Sequence, residues 1–143
     1  MKYNGISILG SDRFIKQTVR ALEIIKDKSK KDHNKITKYL KSIQSAKFSG
    51  MDLEKAQFNA GKPTVFGHSV DWYASSIVHD VHHFYLHSTK RLLWKQKNFR
   101  RHEKLCITEQ VRFLRKIGAP KYVINHCKGA LKTKYWEIEK RSW

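Results

Sequence analysis

Cysteine and proline are scarce in this chain, with two of each in 143 residues. Cys106 and Cys127 are too few for a disulfide framework and do not form a Cys-x-x-Cys motif. Both fall in apolar helical patterns, where a thiol behaves as a small buried hydrophobe. No apolar run approaches the roughly 20 residues that a membrane-spanning helix needs, so no transmembrane segment is expected. The opening Met1-Lys2-Tyr3-Asn4-Gly5 lacks the apolar h-region, roughly 7–15 residues long, of a secretory signal, and a cytoplasmic location is the expectation. There is no internal repeat and no low-complexity linker, so residues 1–143 read as one domain. Acidic side chains are also in short supply: 12 Asp and Glu stand against 30 Lys and Arg, a formal charge of +18.

Such a balance favours nucleic acid, anionic membrane or acidic partners, but its distribution is uneven. Between Asp52 and His83 the acids Asp52, Glu54, Asp71 and Asp80 outnumber Lys55 and Lys62. The positive charge lies in the flanks, from Lys26 to Lys47, from Lys90 to Lys104, and in the last third. A hydrophobic content of 40% supports a globular core.

The stretch Trp72 to His87 has no Gly or Pro, is apolar on nearly every side, and follows Asp71, a good N-cap. It is expected to be a central buried helix over 71–87. Around it, Ser11 to about Lys28 and roughly Asp32 to Ala46 are expected as a helical hairpin over 11–46, with a charged turn at Lys30 to Asn34. Residues 1–10 read as irregular. Segments Lys55 to Asn59 and Pro63 to Gly67, separated by Asn59-Ala60-Gly61-Lys62, read as a β-hairpin within 52–69. Ser88 to Asn98 reads as a basic connection. Helices are expected from Arg101 to Ile117, stopping at Gly118-Ala119-Pro120, and from Lys121 to Cys127, with a tail to Trp143. The expected fold class is α+β and predominantly helical, about five helices with a small β-hairpin.

His79 and His83 sit four residues apart in the central helix, so both imidazoles lie on one face, at the spacing that chelates a single metal ion. The motif is His-Asp-x-x-His, a relative of the metalloprotease His-Glu-x-x-His. Helical phase selects a third ligand. Glu103 falls in line with Cys106, Gln110, Phe113, Leu114 and Ile117, whereas Glu109 falls with Leu105, Arg112 and Lys116 towards water. His87 and His102 are alternatives. Zn2+ held by His79, His83 and Glu103 would lower the pKa of a bound water, with Asp80 as the general base. Tyr73 or Tyr85, and His82 or His68 when protonated, are candidates to assist an oxyanion. The competing reading is a hydrogen-bonded polar cluster in the core with no metal.

The order Phe48-Ser49-Gly50-Met51, a hairpin with Gly61 and Pro63, Trp72-Tyr73-Ala74-Ser75-Ser76-Ile77-Val78-His79-Asp80-x-x-His83, Glu103-x-x-Cys106-x-x-x-Gln110 and Ile117-Gly118-Ala119-Pro120 resembles small bacterial zincin-like metallopeptidase domains, sometimes found as effector or toxin modules. The resemblance covers about residues 11–136. It implies a zincin-like core, Zn2+ at His79 and His83, and an acidic third ligand on the next helix, matched by Glu103. It also implies a hairpin that pairs with an extended peptide beside the site, a peptide or protein substrate, and delivery to a target cell. Asp80 stands where these domains carry Glu, and this chain is the more basic.

The expected activity is therefore a zinc-dependent hydrolase of peptide or amide bonds. Two alternatives stand beside it. One is a nucleic-acid-binding protein or nuclease, prompted by the charge and by aromatics among lysines at Leu93-Trp94-Lys95-Gln96-Lys97-Asn98-Phe99-Arg100. The other is an interaction protein whose His cluster is architectural.

Overall fold

The computed structural model describes residues 1–137 and 142–143. The fold is α+β and predominantly helical, with six α-helices and a five-stranded sheet among the described residues. No described helix is long and apolar enough to cross a membrane. The tail expected at 121–143 includes residues 138–141, which lie outside the described residues.

Residues 1–10 are not irregular. They form strands β1 (Lys2–Tyr3) and β2 (Ile6–Leu9), turned by Asn4 and Gly5, both at positive φ. Helix α1 (Asp12–Lys28) follows, its first turn capped by the Ser11 hydroxyl, which accepts from the Phe14 N–H. Helix α2 (Lys30–Tyr39) follows with no loop. Ser29 ends α1 by donating its N–H to the Ile25 carbonyl, and it starts α2 by accepting from the Asp32 N–H. The charged turn expected at Lys30 to Asn34 is therefore the first turn of α2.

The helix expected to run to Ala46 stops at Tyr39, and Ser42–Ala46 is strand β3. Ile43 is buried as the helical reading required. Its neighbours are better satisfied by β3 pairing in parallel with β2 on one side and with β5 (Gln57–Gly61) on the other. Strand β4 (Gly50–Asp52) pairs antiparallel with β5 and forms one edge, so the sheet order is β1-β2-β3-β5-β4. The β-hairpin thus exists, but its turn is at 53–56, with Ala56 at positive φ, and not at 59–62. Pro63 to Gly67 is not a strand: Pro63 sits in the first turn of helix α3 (Lys62–Phe66), where its missing N–H costs nothing.

Ile8, Ile43, Phe58 and Met51 line up across four strands. Along β2 and β5 the buried residues Ile6, Ile8, Phe58 and Ala60 alternate with more exposed ones, the pattern of a sheet with one face in the core. Helix α4 (Val70–Ser88) is the expected central element. It is capped by Ser69, which accepts from the Trp72 N–H, with Asp71 inside the first turn and not at the cap. Ten of its nineteen residues are buried, because α1, α2, α3 and α5 (Phe99–Lys116) all pack around it. Helix α6 (Lys121–Thr133) runs past Gly129 and ends at Lys134, which is left-handed, before a 3-10 turn over Tyr135–Glu137.

Gly61 marks a close approach that shapes the sheet edge. A Cβ there would lie 2.5 Å from the Ser49 nitrogen and 2.8 Å from the Phe48 backbone. Gly61→Ala should therefore destabilise the fold by roughly 1–3 kcal/mol, read as a lower midpoint in chemical denaturation. An unchanged midpoint would mean that the 48–49 backbone gives way freely.

Candidate metal centre

Helices α4 and α5 make the most extensive helix–helix contact in the fold, and their interface holds the polar cluster. His79 and His83 come from α4; Glu103, Cys106 and Gln110 come from α5; all five are buried. His79 Nε2 lies 3.0 Å from Glu103 Oε2, His83 Nε2 lies 3.2 Å from Glu103 Oε1, and the two Nε2 atoms are 3.2 Å apart. Two ligands about 2.0–2.1 Å from a tetrahedral ion sit roughly 3.3 Å from each other. The spacing of these three donors fits one small cation at their centre.

Proton positions follow from the surrounding hydrogen bonds. Ser75 donates its hydroxyl to the Trp72 carbonyl at 2.7 Å, so its oxygen is left to accept from Gln110 Nε2 at 2.9 Å. That turns Gln110 Oε1 towards His79, where it accepts from Nδ1–H at 2.8 Å. On the other ring, His102 Nε2–H donates to the Leu92 carbonyl at 2.6 Å, so His102 Nδ1 accepts from His83 Nδ1–H at 3.0 Å. A neutral imidazole carries one N–H. With both rings neutral, this leaves both Nε2 atoms as lone pairs, and both point at a carboxylate.

Three electron-pair donors facing one point need a positive charge between them. A single proton on His79 Nε2 satisfies only its contact with Glu103. Burial alone would lower the His79 pKa, but the hydrogen bond and charge of Glu103, helped by Asp80 and Gln110, outweigh it and raise it. Burial drives His83 down to about 4, against the pull of Glu103. Burial also favours the neutral form of Glu103, yet hydrogen bonds and charge from the two imidazoles in their proton-bearing forms hold it well below the usual carboxylate range in the metal-free protein.

Cys106 is the donor that sequence reasoning passed over. Its Sγ groups with a ring nitrogen from each of His79 and His83, all within 4.8 Å of one another. Burial, with the Glu103 and Asp80 charges, pushes its thiol well up in the metal-free protein, whereas a bound cation deprotonates a coordinating thiol, so Cys106 stands beside Glu103 as a candidate third ligand. Its place three residues after Glu103 and four before Gln110 was the signal that could have found it. Tyr135, also missed, donates its hydroxyl to Glu103 Oε2. It arrives from beyond α6 with no periodicity to announce it.

Other expected residues sit elsewhere. Asp80 lines the cleft beside His79 and His83. Tyr73 is directed at α1, where it hydrogen-bonds the Thr18 hydroxyl at 2.8 Å. His82 Nδ1 accepts from Lys35 Nζ at 2.7 Å and its ring stacks on Tyr85, whose own ring meets Tyr39. These three are therefore not at the centre, because α4 is packed on several faces and only one faces α5. His87 Nδ1 accepts from the Trp94 N–H and anchors the connection after α4. His102 orients His83, and Glu109 is held by Arg112, which also reaches Asp32 at 2.6 Å. His68 lies at the cleft mouth near Trp72 and His126.

The cleft over the centre has a volume of about 1310 Å³. One wall is aromatic: Trp94 stacks on Phe99 at 4.1 Å and meets His83 edge-on at 5.0 Å. The lining also includes Lys47 to Met51, leading into the edge strand β4, and residues of α6 and the tail. No protein-family model, curated protein or solved structure matches this chain.

The shifted histidines set a pH dependence for the metal-free protein. His82 and His83 are both held near 4, by burial foremost, against an ordinary value of 6.5. Between those values the unfolded chain binds protons that the folded chain refuses, so stability falls as the pH drops from 6.5 to 4. His79, raised, acts in the opposite sense: its contribution is full below 6.5 and lost as the pH rises through its folded value. His33 and His102 are lowered as well, so four lowered histidines stand against one raised, and denaturation with chelator present should show less stability near pH 5 than near pH 7. Equal or greater stability near pH 5 would contradict this assignment.

Proposed function

We propose that this chain is a zinc-dependent hydrolase of the zincin-like kind, acting on peptide or amide bonds. The observation that carries the reading is the convergence of His79 Nε2, His83 Nε2 and the Glu103 carboxylate at 3.0–3.2 Å, backed by relays that hold both rings from the Nδ1 side. A divalent cation bound among them would supply Lewis acidity, the means by which such sites polarise a carbonyl and bring the pKa of water towards neutrality. His79, His83 and Glu103 would hold it, with Cys106 the alternative third donor. Gln110 and His102 keep the two rings at fixed angles, as outer hydrogen bonds to metal-ligating histidines do.

Asp80 lines the cleft next to the ligands and takes the general-base role, accepting a proton from water and returning it to the departing amine. Trp94 and Phe99 keep bulk water from one side of the site. The open cleft gives an extended substrate a route to the centre, beside an edge strand, as the resemblance implies. A peptide or protein is the expected substrate. Acidic partners or nucleic acid would meet the exposed Lys95, Lys97, Arg100, Arg101 and Lys104 around the start of α5. Delivery to a target cell rests on the resemblance alone.

Elemental analysis of the purified protein should find about one zinc per chain. His79→Ala, His83→Ala and Glu103→Ala should each lose it, while Cys106→Ala keeps it. Zinc retained in Glu103→Ala but lost in Cys106→Ala would make the thiolate the third ligand. Asp80→Asn should keep its metal and lose roughly 10²–10⁴-fold in peptide hydrolysis. Undiminished turnover in that variant would remove Asp80 as the base.

A further inference from the structure

The cleft beside the metal centre is partly filled by the chain itself. The Ser49 backbone N–H, just ahead of β4 on the sheet edge, donates to the Trp143 carbonyl oxygen. The Trp143 ring meets Tyr135 edge to face at 5.3 Å, and Ser142 and Trp143 both line the cleft. These are the two kinds of contact that hold an extended peptide at a sheet edge: main-chain hydrogen bonding, and a pocket for a side chain.

The receiving surface is rigid. Ser49 is buried, with its side chain tied to the Thr64 hydroxyl at 3.0 Å and to the Gly61 N–H at 2.9 Å. Tyr135 is tied through its hydroxyl to Glu103. Phe48, 38% exposed, and Met51 add apolar surface on the same rim. Aromatic pairs favour this edge-to-face arrangement, so the pocket suits a ring better than an aliphatic chain of similar size.

We propose that the cleft recognises an extended peptide segment bearing a bulky aromatic side chain, and that Ser142 and Trp143 occupy that place within the chain until such a segment displaces them. The hydrolase reading supplies what happens to the bound segment, whereas recognition itself needs no metal. A tethered occupant acts at a high effective concentration, so weak binders are excluded and a segment with more contacts gets in.

The test is fluorescence anisotropy of a labelled Glu-Lys-Arg-Ser-Trp peptide against the full chain. Trp143→Ala should bind it roughly tenfold or more tightly than the native chain. Trp143→Phe, which restores a ring, should behave like the native chain. A peptide with Ala in place of Trp should bind neither, and Tyr135→Ala added to Trp143→Ala should abolish the gain. Equal affinity for the native chain and Trp143→Ala, absence of binding to both, or an Ala peptide binding as well as the Trp peptide overturns the proposal. Each titration is run with zinc and with chelator, alongside elemental analysis. A tail effect in a chain that never holds zinc would sink only the hydrolase reading, and full zinc occupancy without a tail effect would sink only this inference.

Discussion

Two backbone carbonyls, those of Trp72 and Leu92, govern the chemistry of the buried cluster. Each accepts a hydrogen bond at the far end of a short chain of side chains, and each chain ends in an imidazole that donates from Nδ1, so that a neutral ring carries no hydrogen on Nε2. The carbonyls cannot change roles, since a carbonyl only accepts. The tautomers of His79 and His83 are therefore dictated by main-chain atoms several ångströms from the point where the rings converge. A buried set of lone pairs around a carboxylate is unfavourable without a cation or a proton to bind them.

Much of the remaining architecture keeps that convergence in register. Arg112 ties α5 to α2 by way of Asp32, and Ser29 joins α1 to α2 without slack. Lys35 and His82 pair on a flank of α4 outside the cleft lining, where burial foremost lowers the pKa of both groups. The sheet contributes its edge, with Gly61 letting the 48–49 backbone come close enough for Ser49 to be locked in place.

The helices that carry the cluster were legible because their periodicity is long and strong. Residues 71–87 were expected and Val70–Ser88 is found; Arg101 to Ile117 was expected and Phe99–Lys116 is found. Phase alone put Glu103 inward and Glu109 outward, and their surroundings agree with that division. The sheet was poorly legible. Strand β2 is four residues, and β3 carries one deeply buried side chain, Ile43, which fits a helical stripe as well as a strand. Their strand state is decided by parallel neighbours distant in sequence. Phase also could not say which of the several buried faces of α4 meets α5, so Tyr73, His82 and Tyr85 stood equal with Gln110 until packing separated them. Tyr135 and Trp143 reach the cleft through tertiary folding, with no local pattern.

Tyr135 touches both worlds of this site. Its hydroxyl rests on the carboxylate that faces the two imidazoles, and its ring carries Trp143. Anything that moves this one side chain alters the electron density available at Glu103 and the footing of the segment above it together. By thermodynamic reciprocity, any effect that a cation bound at Glu103 had on the hold over Trp143 would be returned in equal measure. A single phenol is thus the structural link between the cluster and the segment that lies over it.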